Sequence, residues 1–354
     1  MTDRVDVLVI GGGQAGLAAG FYLRRAGVDF AIVDDQPDGG GAWQHGWPSL
    51  RLFSPAKYSS LPGWPMPPQP GEPFPTADHV VGYLREYERR YQLPVHRGVR
   101  AVGVRAVDKE ILVETDRGDW SARTVISATG TWSRPYVPHY PGQQVFAGRQ
   151  LHTVSYRGPE EFAGQRVVVV GGGNSAAQIL AEVSTVADTI WVTQYPPRFL
   201  PDDVDGRVLF DVATQQLLAR RNGVPAAGVA GLGDIVVVPP VRAARDRGSL
   251  VAQRMFSRLT TSGIAWPDGR TEPADTVIWC TGFRPSLSHL APLGLGRVDG
   301  HIATRETEAV DDGRIRLLGY GNWTGTASAT LVGAGRTAKQ LVTELRAVAG
   351  TRRG

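Results

Sequence analysis

The chain carries a single cysteine, Cys280, in 354 residues, which excludes an intrachain disulfide and any Cys-x-x-Cys redox pair. It also lacks a run of about eighteen consecutive apolar residues, the minimum for a membrane-spanning helix. Basic clusters are missing too: 38 Lys and Arg stand against 34 Asp and Glu, spread along the chain to a net charge of +4. That pattern argues against a nucleic-acid partner. Met1, Thr2, Asp3 and Arg4 run directly into an apolar stretch, which leaves no room for a signal peptide. Together these absences lead to the expectation of a cytoplasmic protein with no membrane partner. Metal chemistry has little support, because Asp202-Asp-Val-Asp205 has no His or Cys at ligand spacing and reads as a solvated loop.

What the chain has in quantity is glycine, 44 residues of it, as expected where backbone turns tightly or approaches a ligand closely. Its length suits two α/β domains, or one inserted into the other.

The first glycine cluster follows the β-branched run Val5 to Ile10, which reads as a buried parallel strand. Gly11-Gly-Gly-Gln-Ala-Gly16 then gives G-x-G-x-x-G, with an Ala- and Leu-rich helix expected from Ala15 to Ala26 and a stop at Gly27. A second strand, Val28 to Val33, ends at Asp34, 23 positions after Gly11. An acid at that spacing meets a ribose hydroxyl. In this unit Gly11 makes the turn, Gly13 admits a pyrophosphate, Gly16 allows close packing, and Gln14 and Ala15 open a helix whose free N–H groups favour an anion. The reading is a dinucleotide site, taken as FAD.

The same grammar recurs at mid-chain. Arg166 to Val170 is a strand, Gly171-Gly-Gly-Asn-Ser-Ala176 gives G-x-G-x-x-A, and a helix from Ser175 to Val186 and a strand from Thr189 to Val192 follow. Gly171, Gly173, Asn174 and Ser175 are the expected cofactor contacts. At the strand end, an acid would favour NADH and an arginine NADPH. Gln194 stands there and is neutral, with Arg198 a little further on. NADH is therefore expected to be usable, alone or alongside NADPH, with strict NADPH dependence the alternative.

Between the loops, Phe146-Ala-Gly-Arg-Gln-Leu-His152-Thr-Val-Ser-Tyr156 resembles the F-x-G-x-x-x-H-x-x-x-Y fingerprint of the flavin-containing monooxygenases, the class B flavoprotein monooxygenases. Gly40-Gly-Ala-Trp43, Ser127-Ala-Thr-Gly130 and Cys280-Thr-Gly-Phe283 are similar to the same family, so the likeness spans nearly the whole chain. The size matches the small bacterial members. The resemblance implies a glutathione-reductase-like α/β fold of two Rossmann-like dinucleotide-binding domains, the NAD(P) domain inserted in the FAD domain. The expected boundaries are 1–145 and 281–354 for FAD and 146–280 for NAD(P)H. It adds Gly41, Ala42, Trp43, Ala128, Thr129, Gly130 and Asn322 to the expected cofactor contacts and gives His152 a positional role; Thr330 is added because a helix N-terminus there favours negative charge on a reduced flavin.

The implied activity is an NAD(P)H-dependent monooxygenase that uses molecular oxygen, through a flavin hydroperoxide, on a small nucleophile such as a sulfide or amine, with a ketone still open. Ketone oxidisers usually carry Trp where Tyr156 stands. Two departures accompany the likeness. Leu52-Phe-Ser54 stands where larger members have an Asn beside the flavin, and Gly321-Asn322 replaces a Gly-Asp pair. No residue is assigned a catalytic proton transfer; Trp43, Phe53 and Trp323 are candidates for an apolar pocket wall. The proline-rich stretch from Pro55 to Pro75 is expected to be ordered and non-helical, either walling the flavin or packing on its own aromatics. Helices are expected at Thr76 to Tyr91 and Ala327 to Leu345, and a strand at Arg314 to Gly319. Two other readings stay open, an NAD(P)H:acceptor reductase without oxygen transfer and a redox sensor. Sequence also leaves open whether the chain is a homodimer.

Overall fold

The computed structural model describes residues 2–202 and 235–351, so the Asp203 to Asp205 loop and the last three residues lie outside the described residues. The described residues divide into two compact units. Those of Met1–Gln44, Pro55–Ser133 and Pro285–Gly354 form the first, and His45–Ser54 with Arg134–Arg284 form the second.

The first unit contributes, in chain order, β1 (Asp3–Ile10), α1 (Gln14–Arg25), β2 (Phe30–Asp34), α2 (Ala77–Arg90), β3 (Val95–Arg97), β4 (Ala101–Val107), β5 (Glu110–Thr115) and β6 (Trp120–Ser127). The sheet runs Ile315–Leu317, β6, β1, β2, β3, all parallel, with β5 and β4 added antiparallel at β6. Parallel pairing explains why β1 and β2 are nearly all apolar: such strands are covered on both faces. Leu8, Ile10, Val33, Val125 and Leu317 meet in one core with Val104, Ile111 and Val113 from the antiparallel pair. The register Ile10↔Val33 and Ile10↔Ser127 brings the C-terminal ends of β1, β2 and β6 level. Parallel sheets bind ligands at that edge.

Helix α2 follows its expected pattern closely, with Thr76 as cap accepting from His79 N–H at 3.3 Å. The proline-rich stretch lies on this helix. Leu61 N–H donates to the Tyr83 hydroxyl at 2.8 Å, which donates to the Trp64 carbonyl at 2.7 Å, and Tyr87 donates to the Pro62 carbonyl at 2.6 Å. The C-terminal helix, Leu331–Thr351, begins four residues later than its apolar pattern suggests. Ala327 sits at φ +57°, outside helical space, and its N–H is taken by the Asn322 side chain at 3.2 Å. Thr330 then caps the helix, accepting from Gly333 N–H at 3.0 Å.

The second unit holds β7 (Arg149–His152), β8 (Arg166–Val170), α3 (Asn174–Val183), β9 (Asp188–Thr193), β10 (Ala252–Arg254), β11 (Arg258–Thr260), β12 (Gly263–Ala265), β13 (Thr271–Pro273) and β14 (Thr276–Trp279). Its parallel sheet has the order β10-β9-β8-β14-β7, and β11 to β13 form a separate antiparallel sheet. Phe146, the first residue of the fingerprint, is buried in the core between them with Val168, Val277 and Trp279. Among the described residues no helix is long and apolar enough to cross a membrane.

Candidate functional site

In the first unit the glycine loop turns at Gly11, φ +106°, where a Cβ would stand 2.5 Å from the Ala128 carbonyl oxygen. Only glycine fits there, and the consequence is that loop and crossover, Gly11 and Ala128-Thr129, run against each other. Helix α1 starts from Gly13, which is extended and makes no side-chain cap hydrogen bond. Its opening N–H groups, at Gln14 and Ala15, are thus left by the protein's side chains to an outside acceptor. Gly13 crosses Gly41 closely enough that a Cβ on Gly41 would lie 2.8 Å from the Gly13 Cα. Two bare backbones and an uncapped helix N-terminus make a trough suited to a pyrophosphate, the group at the centre of FAD.

The expected contacts gather around this trough. Trp43, in the short turn Gly41–His45, donates from its indole to the Gln14 side-chain oxygen at 2.9 Å, and Gln14 in turn donates to the Ala329 carbonyl at 2.6 Å. A Cβ on Gly319, at the end of the strand Ile315–Leu317, would meet Ala15 at 2.7 Å. The loop, the Trp43 turn and the approach to the C-terminal helix are thereby tied together. Asp34 is buried at the end of β2. Burial raises its carboxyl above the ordinary value, against the pull of the Arg97 guanidinium with which it is paired.

Behind the crossover Ser127 and Thr129 of the Ser127–Gly130 motif join a buried polar cluster whose other members carry no local sequence signature. The Tyr320 hydroxyl is 2.6 Å from Ser127 Oγ and 2.7 Å from Thr129 Oγ1, and accepts from Thr129 N–H at 3.1 Å. Ser127 Oγ is also 3.0 Å from His289 Nε2. Burial pushes the His289 imidazole down to about 4, so it is neutral at pH 7. Thr129 Oγ1 donates to the Ser286 carbonyl at 2.6 Å, and Ser286 N–H to the Gly130 carbonyl at 2.9 Å. This lattice fixes Ala128-Thr129-Gly130. Trp323 stacks on Tyr320 and on His301, with ring centroids 5.7 and 4.9 Å apart, and packs against the core. Asn322 is exposed.

The second unit repeats the device. Gly171, φ +137°, could carry no Cβ without striking the Cys280 carbonyl, and α3 begins from extended Gly173 with no side-chain cap hydrogen bond. A Cβ on Gly173 would meet nothing among the described residues within 4 Å. Asn174, in the first turn beside Ser175, uses its side-chain oxygen to accept from Val236 N–H at 2.9 Å. Thr193 is buried beside Gly172, while Gln194 and Arg198 are exposed past the end of β9. With no side-chain cap from Gly173, this N-terminus again suits a pyrophosphate, here that of a nicotinamide dinucleotide.

The fingerprint's other residues hold the second unit together. His152, buried, places Nε2 3.0 Å from the Gly282 carbonyl, while its Nδ1 accepts from Val154 N–H at 3.3 Å. These contacts require the neutral imidazole with hydrogen on Nε2, and burial lowers its basicity in agreement. His152 thus pins the second crossover and has both nitrogens engaged. Tyr156 is fully buried, stacked on Phe162 and edge-on to Trp47, and donates to Glu182 at 2.7 Å. Glu182, on α3, also accepts from Ser49 at 2.6 Å. The segment His45–Ser54, which contains Leu52, Phe53 and Ser54, is therefore held in the second unit by Trp47 and Ser49. Leu52 and Ser54 are buried and Phe53 half-buried. Sequence gave no signal for Glu182 or Ser49, because partners more than a hundred positions apart leave no local pattern.

A family model described as pyridine nucleotide-disulphide oxidoreductase matches residues 8–199. The uncharacterized oxidoreductase CzcO-like of Geobacillus kaustophilus is 30% identical over 81% of this chain and 83% of its own length. The solved structure of a flavin-containing monooxygenase from Stenotrophomonas maltophilia superposes with a TM-score of 0.90 at 48% identity, covering 98% of this chain and 100% of that one. A Baeyer-Villiger monooxygenase of Streptomyces coelicolor is 34% identical over 57% of this chain and 40% of that protein.

Proposed function

Since this chain belongs to the pyridine nucleotide-disulphide oxidoreductase family, and within it is an NAD(P)H-dependent flavoprotein monooxygenase of the flavin-containing type, we propose that its substrate is a small soft nucleophile, a sulfide or an amine. The first unit takes FAD and the second NADH or NADPH. The observation that carries this division of labour is the pair of helix N-termini at Gly13 and Gly173, without a side-chain cap among the described residues, each following a tight turn, at Gly11 and Gly171, that a crossover carbonyl restricts to glycine. With one cysteine in the chain, the thiol–disulfide chemistry of the wider family has no pair to act through.

Bound FAD would supply the two-electron chemistry that links NAD(P)H to oxygen. The residues of the chain do the rest. The N–H groups that open α1 hold the pyrophosphate, and Asp34 accepts from the adenosine ribose. Ser127, Thr129 and Tyr320 keep the crossover in place, and Thr330 fixes the start of the C-terminal helix, whose N-terminal potential favours negative charge on the reduced isoalloxazine. In the second unit α3 holds the nicotinamide's pyrophosphate. Gln194 hydrogen-bonds a ribose hydroxyl without repelling a 2′-phosphate, so both donors are accepted, and Gln194→Arg favours NADPH about tenfold over the parent. In the first unit Trp43 and Trp323 are the candidates for apolar substrate surface.

The nearest rival is a reductase that hands electrons to a free acceptor. Anaerobic reduction by NADPH followed by a pulse of oxygen separates the two. The proposal expects a transient flavin spectrum, distinct from the oxidised and reduced forms, that decays faster when a sulfide is added. Direct return to oxidised flavin, unaffected by sulfide, favours the reductase.

A further inference from the structure

Arg97 ends β3, and its guanidinium is wedged between two carboxylates of the first unit. One nitrogen, Nη1, pairs with Asp34 at the end of β2, and Nη2 pairs with Glu88 on α2. The side chain is 16% exposed, Asp34 8% and Glu88 22%. Its third donor, Nε, is buried with no partner among the described residues. A surface ion pair contributes little to stability, and a buried one must recover the desolvation of its charges. An arginine buried at this depth with one donor unmatched is poorly explained by stability alone.

The glycine loop lies directly against this pair. A Cβ on Gly12 would stand 2.8 Å from Asp34 Oδ2 and 3.0 Å from Arg97 Nη1. A side chain at Gly12 would therefore press on the Asp34–Arg97 pair, while Gly11 is dictated by its turn against the Ala128 carbonyl. Gln36 N–H also donates to the Asp34 carboxylate, at 3.4 Å. A carboxylate has about four lone-pair sites, so these contacts orient it and leave capacity for a ribose hydroxyl.

We propose that Arg97 is a positioning residue for FAD. Anchored on α2 through Glu88, it fixes the rotamer of Asp34 and offsets its charge, so that Asp34 accepts from the adenosine 2′-hydroxyl without repelling the nearby pyrophosphate. Arg97 touches neither the flavin ring nor the substrate and acts only through Asp34. A planar fork is required, because one cation must reach two carboxylates on different elements, which an ammonium group cannot do with the same geometry.

The test compares binding of FAD and of its 2′-deoxyadenosine analogue to full-length apoprotein, followed by quenching of flavin fluorescence without oxygen, nicotinamide or substrate. Its result is independent of whether the enzyme oxygenates sulfides. Parent protein is expected to prefer FAD about tenfold or more, the size of a hydrogen bond to a charged acceptor. Arg97→Met and Asp34→Asn both lower FAD affinity and bring that ratio close to one, because the hydroxyl no longer has an aimed acceptor. Arg97→Lys, which keeps the charge and is the variant most able to fold, cuts the ratio several-fold. Circular dichroism of each apoprotein establishes that it is folded. A folded Arg97 variant that binds FAD weakly but keeps the parental ratio overturns the proposal, since its defect is then only structural. A parental ratio near one overturns it as well, because Asp34 is then not used.

Discussion

His289 offers a direct handle on the polar cluster beneath the first crossover. Its imidazole is held neutral by burial at about 4, below its ordinary value of 6.5. Because the unfolded chain takes up a proton near 6.5 and the folded one only near 4, stability is fully present above about pH 6.5 and is lost as pH falls toward 4. The loss is roughly 3 kcal/mol if the full shift is realised. Thermal unfolding of the parent between pH 7 and pH 4.5 should show this acid limb, and His289→Asn should flatten it; parallel curves for the two would contradict the assignment. The Ser127 to Gly130 crossover was legible in sequence, but its meeting with His289 and Tyr320 was not. Ser127, Thr129, His289 and Tyr320 come from strand ends and loops up to 193 positions apart, and no periodicity records such a meeting. By contrast the tight turns at Gly11 and Gly171 were legible, because each lies in a short strand-turn-helix unit whose geometry is local.

Elements were read well where they carry their own pattern. The β-branched runs became β1 and β8, and both glycine loops opened helices as expected. Boundaries moved where a side chain intervenes, as when Asn322 and Ala327 delay the C-terminal helix to Leu331. Affiliation was not legible at all for His45–Ser54, which is flanked by first-unit sequence yet packs in the second unit. Its latch is the Ser49–Glu182–Tyr156 arrangement. Tyr156→Phe keeps the rings against Phe162 and Trp47 but removes one hydrogen bond to a carboxylate, a loss of about 1.5–3 kcal/mol. Calorimetry should record a lower melting temperature with FAD content unchanged, and an unaltered melting temperature would deny the latch its role. The α3 N-terminus invites a sharper test. Gly171→Ala sets a methyl against the Cys280 carbonyl, so the KM for NAD(P)H should rise at least tenfold while the purified protein stays yellow with bound FAD. Loss of flavin with unchanged KM would reverse the assignment of the two units.

For the whole molecule, sequence disclosed two dinucleotide sites in one chain, and the structure adds how each is made rigid. Carbonyls of two crossovers close on two glycines, while polar side chains from remote segments, Tyr320 in one unit and His152 in the other, lock those crossovers. The substrate was not legible, since no local sequence pattern encodes the chemistry of the molecule that an apolar wall admits. The central claim is that electrons from NAD(P)H end in an oxygen atom placed on a small nucleophile. Turnover of the holoenzyme with NADPH, a methyl aryl sulfide and isotopically labelled dioxygen tests it most directly, with the product read by mass spectrometry. The account predicts sulfoxide carrying one labelled oxygen atom, formed in proportion to the NADPH consumed. NADPH consumption that yields only hydrogen peroxide, with the sulfide and an equivalent amine unchanged, would contradict it.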